Sequence, residues 1–178
     1  GLGQESWARE LLETALGLDK PLLIDADGLN LIAGRGIQRQ DWILTPHPGE
    51  AARLLNTSVA AIERDRFAAV EALRDRYGGI LVLKGAGTLI QGPGQRPPGV
   101  CSQGNPGMAS GGMGDALSGV IGALIAQGQP LWDAAEIGVC LHAAAGDRAA
   151  EDGEIGLIAG DLIKALRETL RDAEGMGS

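Results

Sequence analysis

The sequence contains only two cysteines among 178 residues, Cys101 and Cys140. Two cysteines are too few for a disulfide framework, and neither belongs to a CxxC motif or to a Cys/His cluster of the kind that binds zinc. We therefore expect two thiols in or near the core and no structural zinc.

Long apolar runs are also missing, although hydrophobic residues make up 44% of the chain. No run approaches the roughly 20 apolar residues of a membrane-spanning helix. The first residues do not combine a basic region with an apolar one, as a secretory signal would. These absences predict a cytoplasmic protein without a membrane partner.

Basic and aromatic residues are scarce as well. The chain has 15 Lys and Arg against 23 Asp and Glu, a formal net charge of -8, and its aromatic residues amount to 3%. Nucleic-acid binding requires basic surfaces and aromatic side chains that stack on bases, so we expect no nucleic-acid partner. A small anionic ligand is still allowed, because backbone N–H groups bind phosphate without a basic side chain.

Short apolar runs alternate with helical patterns along most of the chain. The runs at 21–27, 41–46 and 79–85 are each followed by a polar or turn signal, which is typical of strands buried on both faces. The helical patterns cover 6–17, 49–56, 58–78, 114–127, 131–150 and 160–173. The Gly/Pro-rich segment 87–100 predicts a hairpin or an edge loop. The pattern predicts one α/β domain over residues 1–178, with a mostly parallel sheet and helices on both faces.

Polar residues that follow the predicted strands are the candidate site residues, because ligands of parallel sheets bind at the carboxyl ends of the strands. They are Asp25, Asp27 and Asn30 after the first strand, Thr45, His47 and Glu50 after the second, and residues 84–88 after the third. Asp25 and Asp27 lie two residues apart and could share a Mg²⁺ ion. We favour Asp27 as the cap of a following helix and Asp25 as a residue that lines the site.

Residues 104–128 begin as a glycine-rich loop and end as an apolar helical stretch. Glycines let the backbone approach a ligand, and the free N–H groups of a helix start attract an anion. Asp115, at the junction, would take a proton from an attacking hydroxyl while the amides hold a phosphoryl group. Alternatively, Asp115 only caps the helix and the glycines allow tight helix–sheet packing, a role that we expect for Gly119 and Gly122 in either case. The residues alone leave both interpretations open.

Six motifs occur in order across nearly the whole chain. They are GLG at 1–3, DADGLN at 25–30, LTPHPGE at 44–50, VLKGAGTLI at 82–90, the glycine-rich segment 104–128 and AGDLI at 159–163. Together they resemble the ADP/ATP-dependent NAD(P)H-hydrate dehydratases, a branch of the ribokinase-like superfamily. The resemblance implies a three-layer α/β/α fold with a mostly parallel central sheet. That domain would be incomplete on its N-terminal side, with residues 1–178 as its C-terminal portion.

The resemblance also implies an activity. Family members use a nucleotide to dehydrate the damaged cofactors (6S)-NADHX and (6S)-NADPHX, which restores NADH and NADPH. Bacterial members typically use ADP, with release of AMP and phosphate, so ADP or ATP together with Mg²⁺ is the expected cofactor set.

Each motif then receives an expected role. The nucleotide-binding residues implied by the resemblance are Lys84, Gly85, Ala86, Gly87, Thr88, Gly111, Gly112, Met113 and Gly114. Asp115 matches the catalytic base of the superfamily and contacts the substrate. The nucleotide is therefore expected between the 84–88 loop and residues 111–115. Lys84 could otherwise be a solvated lysine at a strand end.

Substrate and metal contacts are implied for four further residues. Gly3 and His47 match positions that contact the hydrate, and Glu50 and Asp25 are candidates for water-mediated contacts to Mg²⁺. The alternatives are a hydrogen-bonded loop histidine for His47 and a helix first-turn carboxylate for Glu50.

Two other functions remain open at this point, a small-molecule hydroxyl kinase of the same superfamily and a truncated domain that binds nucleotide without turnover. His47 stands where sugar kinases usually carry asparagine, which argues against the kinase. The family's domain is longer than this chain, so we expect a missing N-terminal segment and allow a fused epimerase domain. An apolar strand at 21–25 without a partner would promote association, so we also expect a homo-oligomer.

Overall fold

The computed structural model describes residues 2–175, with side chains up to residue 172. The chain divides into two compact units, residues 1–100 and residues 101–178. The prediction of a single domain over residues 1–178 stays a prediction.

The first unit contains the sheet, and most of its helices and strands are six residues long or shorter. Its elements are α1 (Ser6–Leu16), β1 (Leu22–Ile24), α2 (Asp27–Ile32), β2 (Trp42–Leu44), α3 (Pro48–Leu55), α4 (Val59–Arg64), α5 (Arg66–Tyr77), β3 (Ile80–Leu83), β4 (Thr88–Gln91) and β5 (Gly99–Cys101), the last of which crosses the boundary between the units. The three strands predicted from apolar runs are present, and the 87–100 segment forms β4 and β5 as a hairpin prediction requires.

The sheet has five strands in the order β1-β2-β3-β4-β5. β1 pairs with β2 and β2 with β3 in parallel, in the registers Leu23↔Ile43 and Ile43↔Ile80, whereas β3 and β4 are antiparallel. Every residue of β2 and β3 is buried, which explains why both strands are continuous apolar runs. β1 lies at the edge, with β2 as its only partner among the described strands.

The core of the first unit is organised around Trp42. This side chain is fully buried, and its indole N–H donates to the carbonyl of Tyr77 at 3.2 Å. Tyr77 is also buried and donates its hydroxyl to the carbonyl of Leu54 at 2.9 Å. Gly79 has a φ of 65°, and a Cβ at this position would overlap the Trp42 ring, so the turn into β3 requires glycine.

The single helix predicted over 58–78 is wrong, because the structure has two helices with Asp65 between them. Asp65 has an extended φ of -148°, and its side chain accepts a hydrogen bond from the N–H of Ala68 at 2.9 Å. It is therefore the N-cap of α5, which restarts the helix. The restart shifts the apolar stripe, so Phe67 is 51% exposed although it lies at helical spacing from buried Val70.

The second unit is helical. A 3₁₀ turn at Pro106–Met108 precedes α6 (Met113–Ala126), α7 (Leu131–Ala149) and α8 (Ala159–Gly175), so the three predicted helices are confirmed. α7 packs against α6 at Gly138, where a Cβ would meet Ile121 Cγ1 at 2.6 Å. A Cβ at Gly119 or Gly122 would meet no described atom within 4 Å, so these glycines are not needed for the packing of α6 within this unit, and their packing against a sheet stays a prediction.

The two cysteines differ in their surroundings. Cys101 is buried at the end of β5, as predicted, whereas Cys140 lies at a more exposed position of α7 beside Cys101, so only Cys101 is a core thiol. None of the helices in residues 2–175 has the length and apolarity needed to span a bilayer.

Candidate active site

Charged side chains follow all three parallel strands of the first unit. Asp25 follows β1, His47 and Glu50 follow β2, and Lys84 follows β3. Because the three strands are parallel, their carboxyl ends lie at one edge of the sheet, where ligands of such sheets bind. We call these four residues the strand-end cluster.

Lys84 lies between two carboxylates of this cluster. Its Nζ is 2.8 Å from Oδ1 of Asp25 and 3.9 Å from Oε2 of Glu50. The three side chains are 19%, 12% and 6% exposed, respectively, so Lys84 is not the solvated lysine of the alternative interpretation. It serves as an internal counterion for both carboxylates. Its contact with a nucleotide stays a prediction.

His47 and Glu50 form a reciprocal cap at the start of α3. Nδ1 of His47 accepts hydrogen bonds from the N–H groups of Gly49 at 2.9 Å and Glu50 at 3.4 Å, and Oε2 of Glu50 accepts from the His47 N–H at 2.8 Å. An accepting Nδ1 leaves the proton on Nε2, which lies 3.4 Å from Oε1 of Glu50. Both helix-start interpretations are therefore structurally correct. The substrate role of His47 stays a prediction.

The carboxylates of Asp25 and Glu50 are not arranged to bind a Mg²⁺ ion directly. Oδ1 of Asp25 already accepts from Lys84 Nζ and from the N–H of Ala26 at 2.9 Å, and Glu50 is bonded within the cap. Among residues 2–175 no group of three or more His, Cys, Asp and Glu side chains is placed to hold a metal ion. The water-mediated contacts of Asp25 and Glu50 remain a prediction.

Asp27 is not the cap that we favoured. It is the first residue of α2, the N-cap is Ala26, and no side chain caps this helix. The carboxylate of Asp27 instead accepts from the N–H of Gly3 at 2.8 Å, which places the predicted substrate residue Gly3 beside the end of β1. Ala26 has a φ of 48° and a ψ of -119°, a conformation that costs a non-glycine residue about 1–3 kcal/mol. Such strain is common at functional sites.

The predicted nucleotide loop, residues 84–88, joins β3 to β4. Gly85 and Gly87 have φ values of 144° and 71°, so the loop adopts a path that favours glycine at both positions. Thr88 donates its hydroxyl to the carbonyl of Gly85 at 3.1 Å, and the Lys84 N–H donates to the carbonyl of Pro46 at 2.9 Å. Ala86 lies at the exposed tip. The loop is held at its start by Pro46, which follows β2, and at its end by the Thr88 hydroxyl.

In the second unit, the glycine-rich segment leads into α6. The N-cap is Gly112, with a φ of 87° and no side-chain cap, so the first N–H groups of this 14-residue helix have no capping side chain. Asp115 lies within the first turn and is exposed, which means that it does not act as the N-cap. Gly111 is exposed and Gly114 half-buried, whereas Met113 is buried in the helical core. The helix start is chemically suited to hold an anion beside the exposed carboxylate of Asp115.

Side chains from α7 fix this helix start, and our sequence analysis missed them. Nε2 of His142, which is 9% exposed, lies 2.9 Å from the carbonyl oxygen of Met113. Asn105 donates to Oδ1 of Asp147 at 3.0 Å, and the Gly104 N–H donates to Oδ2 of the same carboxylate at 3.0 Å. The glycine-rich segment is therefore anchored at both of its ends. No short motif connects these residues, since they are brought together only by the packing of α7.

The predicted site residues thus fall into two groups. Gly3, the strand-end cluster and the 84–88 loop belong to the first unit, and residues 111–115 belong to the second. The structure brings the members of each group together within its own unit. A nucleotide site formed jointly by the two groups stays a prediction.

The fold and these groups define a ribokinase-like α/β protein. A ribokinase-like superfamily protein of Enterococcus faecalis has a solved structure that is 27% identical, with a TM-score of 0.81 over 95% of this chain and 60% of that one. A Bacillus subtilis ADP/ATP-dependent NAD(P)H-hydrate dehydratase, co-crystallised with ATP and Mg²⁺, is also 27% identical, with a TM-score of 0.87 over 97% of this chain and 62% of that one. The predicted fold class is confirmed.

The sequence comparisons identify the family. Residues 1–168 match the family described as NAD(P)H-hydrate dehydratase, and the chain belongs to that family. The bifunctional NAD(P)H-hydrate repair enzyme of Coxiella burnetii is 56% identical over 168 residues, which are 94% of this chain and 34% of that protein. The chain thus spans about a third of the length of this relative.

Proposed function

We propose that the protein containing this chain dehydrates (6S)-NADHX and (6S)-NADPHX to NADH and NADPH at the expense of ADP or ATP. One observation carries the proposal: an exposed carboxylate, Asp115, lies in the first turn of an uncapped, glycine-led helix in a chain of the NAD(P)H-hydrate dehydratase family. The helix start supplies N–H groups for a phosphoryl group, and Asp115 supplies the base. Family membership favours dehydration over the hydroxyl-kinase alternative.

Asp115 performs the first chemical step in this proposal. A hydrated nicotinamide carries a hydroxyl, which is a poor leaving group. Asp115 accepts the hydroxyl proton as the hydroxyl oxygen attacks the terminal phosphorus of the nucleotide, and the bond from that phosphorus to the bridging oxygen breaks. With ADP the leaving group is AMP.

Elimination completes the reaction. The electrons of the ring nitrogen assist cleavage of the bond between carbon and the phosphate ester oxygen. Phosphate then leaves, and loss of a proton from the adjacent ring carbon forms the double bond of NADH. The sum is one hydrate and one ADP converted into one NADH, one AMP and one phosphate.

The remaining residues bind and orient the reactants. We assign nucleotide contacts to residues 84–88 and 111–114, and hydrate contacts to Gly3, His47 and Asp115. The exposed ring of His47 and the Gly3 N–H beside the end of β1 support the hydrate assignment. Asp25 and Glu50 are assigned water-mediated contacts to a Mg²⁺ ion that the nucleotide carries, which are compatible with carboxylates already paired to Lys84.

The test uses the full-length protein, enzymatically prepared NADHX, and ADP, ATP or no nucleotide, with NADH formation followed by absorbance. We expect NADH to form only when nucleotide is present. A hydroxyl kinase would instead accumulate a stable phosphate ester without NADH. A binding module would give heat on calorimetric titration with AMP, ADP or ATP, but no product.

The assembly of the protein is part of the proposal. We propose that residues 1–178 belong to one ribokinase-like domain, and that the full-length protein has a further N-terminal segment and a fused epimerase domain. The length of the bifunctional Coxiella relative supports this extension. The homo-oligomeric state and the cytoplasmic location stay predictions.

A further inference from the structure

Arg66 contacts the backbone of the predicted nucleotide loop, although it belongs to none of the sequence motifs. Its Nη2 lies 3.2 Å from the carbonyl oxygen of Leu83, 3.4 Å from that of Lys84 and 3.2 Å from that of Gly87. One guanidinium nitrogen therefore contacts three backbone carbonyl oxygens, from the end of β3 and from the loop that follows. A guanidinium with several fixed donors is suited to such multiple contacts.

The position of Arg66 in its own helix is electrostatically unfavourable. Arg66 is the first residue of α5, where the helix dipole disfavours a cation. The carboxylate of Glu63, 3.5 Å from Nη1, offsets this only in part, because that side chain is 47% exposed. Arg66 itself is only 16% exposed. A largely buried cation at the N-terminal end of a helix is unfavourable there, so we infer that the contacts of Arg66 with the loop carbonyls offset this cost.

The contacts of Arg66 with the loop carbonyls determine which way the N–H groups of the loop point. Peptide groups are planar and trans, so each N–H points away from the carbonyl of the same peptide group. The carbonyls of Lys84 and Gly87 point to Arg66. The N–H groups of Gly85 and Thr88, which complete those two peptide groups, therefore point to the opposite side. On that side, the peptide groups that join Lys84 to Gly85 and Gly87 to Thr88 present N–H donors, which attract a phosphate, rather than carbonyl oxygens, which repel it.

Gly85 is adapted to the same arrangement. Its φ is 144°, and a Cβ built there would lie 2.5 Å from Nη1 and 3.0 Å from Nη2 of Arg66. The guanidinium thus lies directly against the backbone of the loop. The path of the chain favours glycine at this position, and a side chain there would displace the Arg66 guanidinium from the loop.

We propose that Arg66 is a positioning residue for nucleotide binding, which holds the carbonyls of Leu83, Lys84 and Gly87 on its own side so that the loop offers N–H groups to a nucleotide phosphate. The inference rests on the proposed function, because it takes residues 84–88 as the phosphate-binding loop. It adds a residue that touches neither nucleotide nor hydrate.

The test compares Arg66→Met and Arg66→Lys with Arg64→Met in the full-length protein. Arg64 is an exposed arginine two residues earlier, at the end of α4, so the control removes the same charge from the same surface region. The readouts are KM for ADP, kcat, the Kd for ADP by calorimetry, and Tm. We expect Arg66→Met to raise KM and Kd about tenfold or more, since charge-assisted hydrogen bonds to the loop are lost.

Arg66→Lys keeps the charge but not the three-way contact, so we expect an intermediate rise in KM and Kd. The kcat of both variants is expected to stay within about threefold of wild type, because the catalytic base is unchanged. If Arg66→Met does not fold, the rise for Arg66→Lys alone decides the proposal. A purely structural arginine would lower Tm and leave KM and Kd unchanged.

The proposal is overturned if the folded Arg66 variants bind ADP as tightly as Arg64→Met does. Failure of the proposed function looks different, since the wild-type protein would then form no NADH, while the Kd series for ADP would still decide the role of Arg66. Wild-type protein that does not bind ADP would overturn both.

Discussion

Replacing Lys84 with Met removes the cation shared by Asp25 and Glu50 while keeping most of the side-chain volume. The Nζ of Lys84 is 2.8 Å from Asp25 Oδ1, and at an effective dielectric constant of about 20 Coulomb's law gives an attraction of about 6 kcal/mol. Desolvation of the two charges cancels much of this attraction. Loss of one partner costs about 3–5 kcal/mol in a fully buried pair and about 0–1 kcal/mol at a surface.

The side chains of Lys84 and Asp25 are 19% and 12% exposed, which places the pair between these limits and nearer to the buried one. We therefore expect Lys84→Met to lower the free energy of unfolding by about 2–3 kcal/mol. Equilibrium urea unfolding followed by circular dichroism measures this change. The control is Lys20→Met, an exposed lysine of the same unit, for which we expect a change within about 0.5 kcal/mol.

A double mutant separates the ion pair from other effects of the substitution. Lys84→Met combined with Asp25→Asn should cost at least about 1 kcal/mol less than the sum of the two single changes, because no unpaired charge is left between these residues. The reasoning is refuted if Lys84→Met behaves like Lys20→Met, or if the two single effects are additive.

Three further predictions concern other parts of the chain. Asp115→Asn should lower kcat by about 10²–10⁴ and leave ADP affinity unchanged or slightly higher, measured by NADH formation and calorimetry; wild-type turnover would mean that Asp115 is not the base. Partial burial of the thiol and the neighbouring Cys101 raise the pKa of Cys140, so less thiolate forms at pH 7, and iodoacetamide should modify Cys140 more slowly than a model thiol, with buried Cys101 unmodified in mass spectra. Gly79→Ala should destabilise the protein by about 2 kcal/mol more than Gly94→Ala, because φ is positive at both positions but only Gly79 packs against core atoms; equal urea midpoints would contradict this.

The sequence predicted the parts of the fold that depend on local patterns. The apolar runs that became β2 and β3 are buried on both faces, and the three helices of the second unit lie where the periodicity placed them. The break at Asp65 was missed because an aspartate within an amphipathic pattern is compatible with a continuous helix. Only the capping bond to the Ala68 N–H distinguishes the two cases.

The candidate site was predictable where the strand ends and the glycine-rich loop define it. Asp25, His47, Glu50 and Lys84 follow strands, and the sheet rule places them at one edge. The residues that support the site were not predictable from spacing. His142 is separated by 29 residues from Met113, whose carbonyl it contacts, so tertiary packing alone brings them together. For Arg66 the sequence held one signal, a cation directly after a capping aspartate, where the helix dipole disfavours it.

The proposed dehydration has a fixed stoichiometry that can be measured in one reaction. Full-length protein is incubated with NADHX and ADP, and NADH, AMP and phosphate are measured in the same sample by absorbance and chromatography. We expect equal amounts of the three products and no NADH above the spontaneous rate with Asp115→Asn. Consumption of ADP with a persistent phosphorylated hydrate, or NADH formation without loss of ADP, would contradict it.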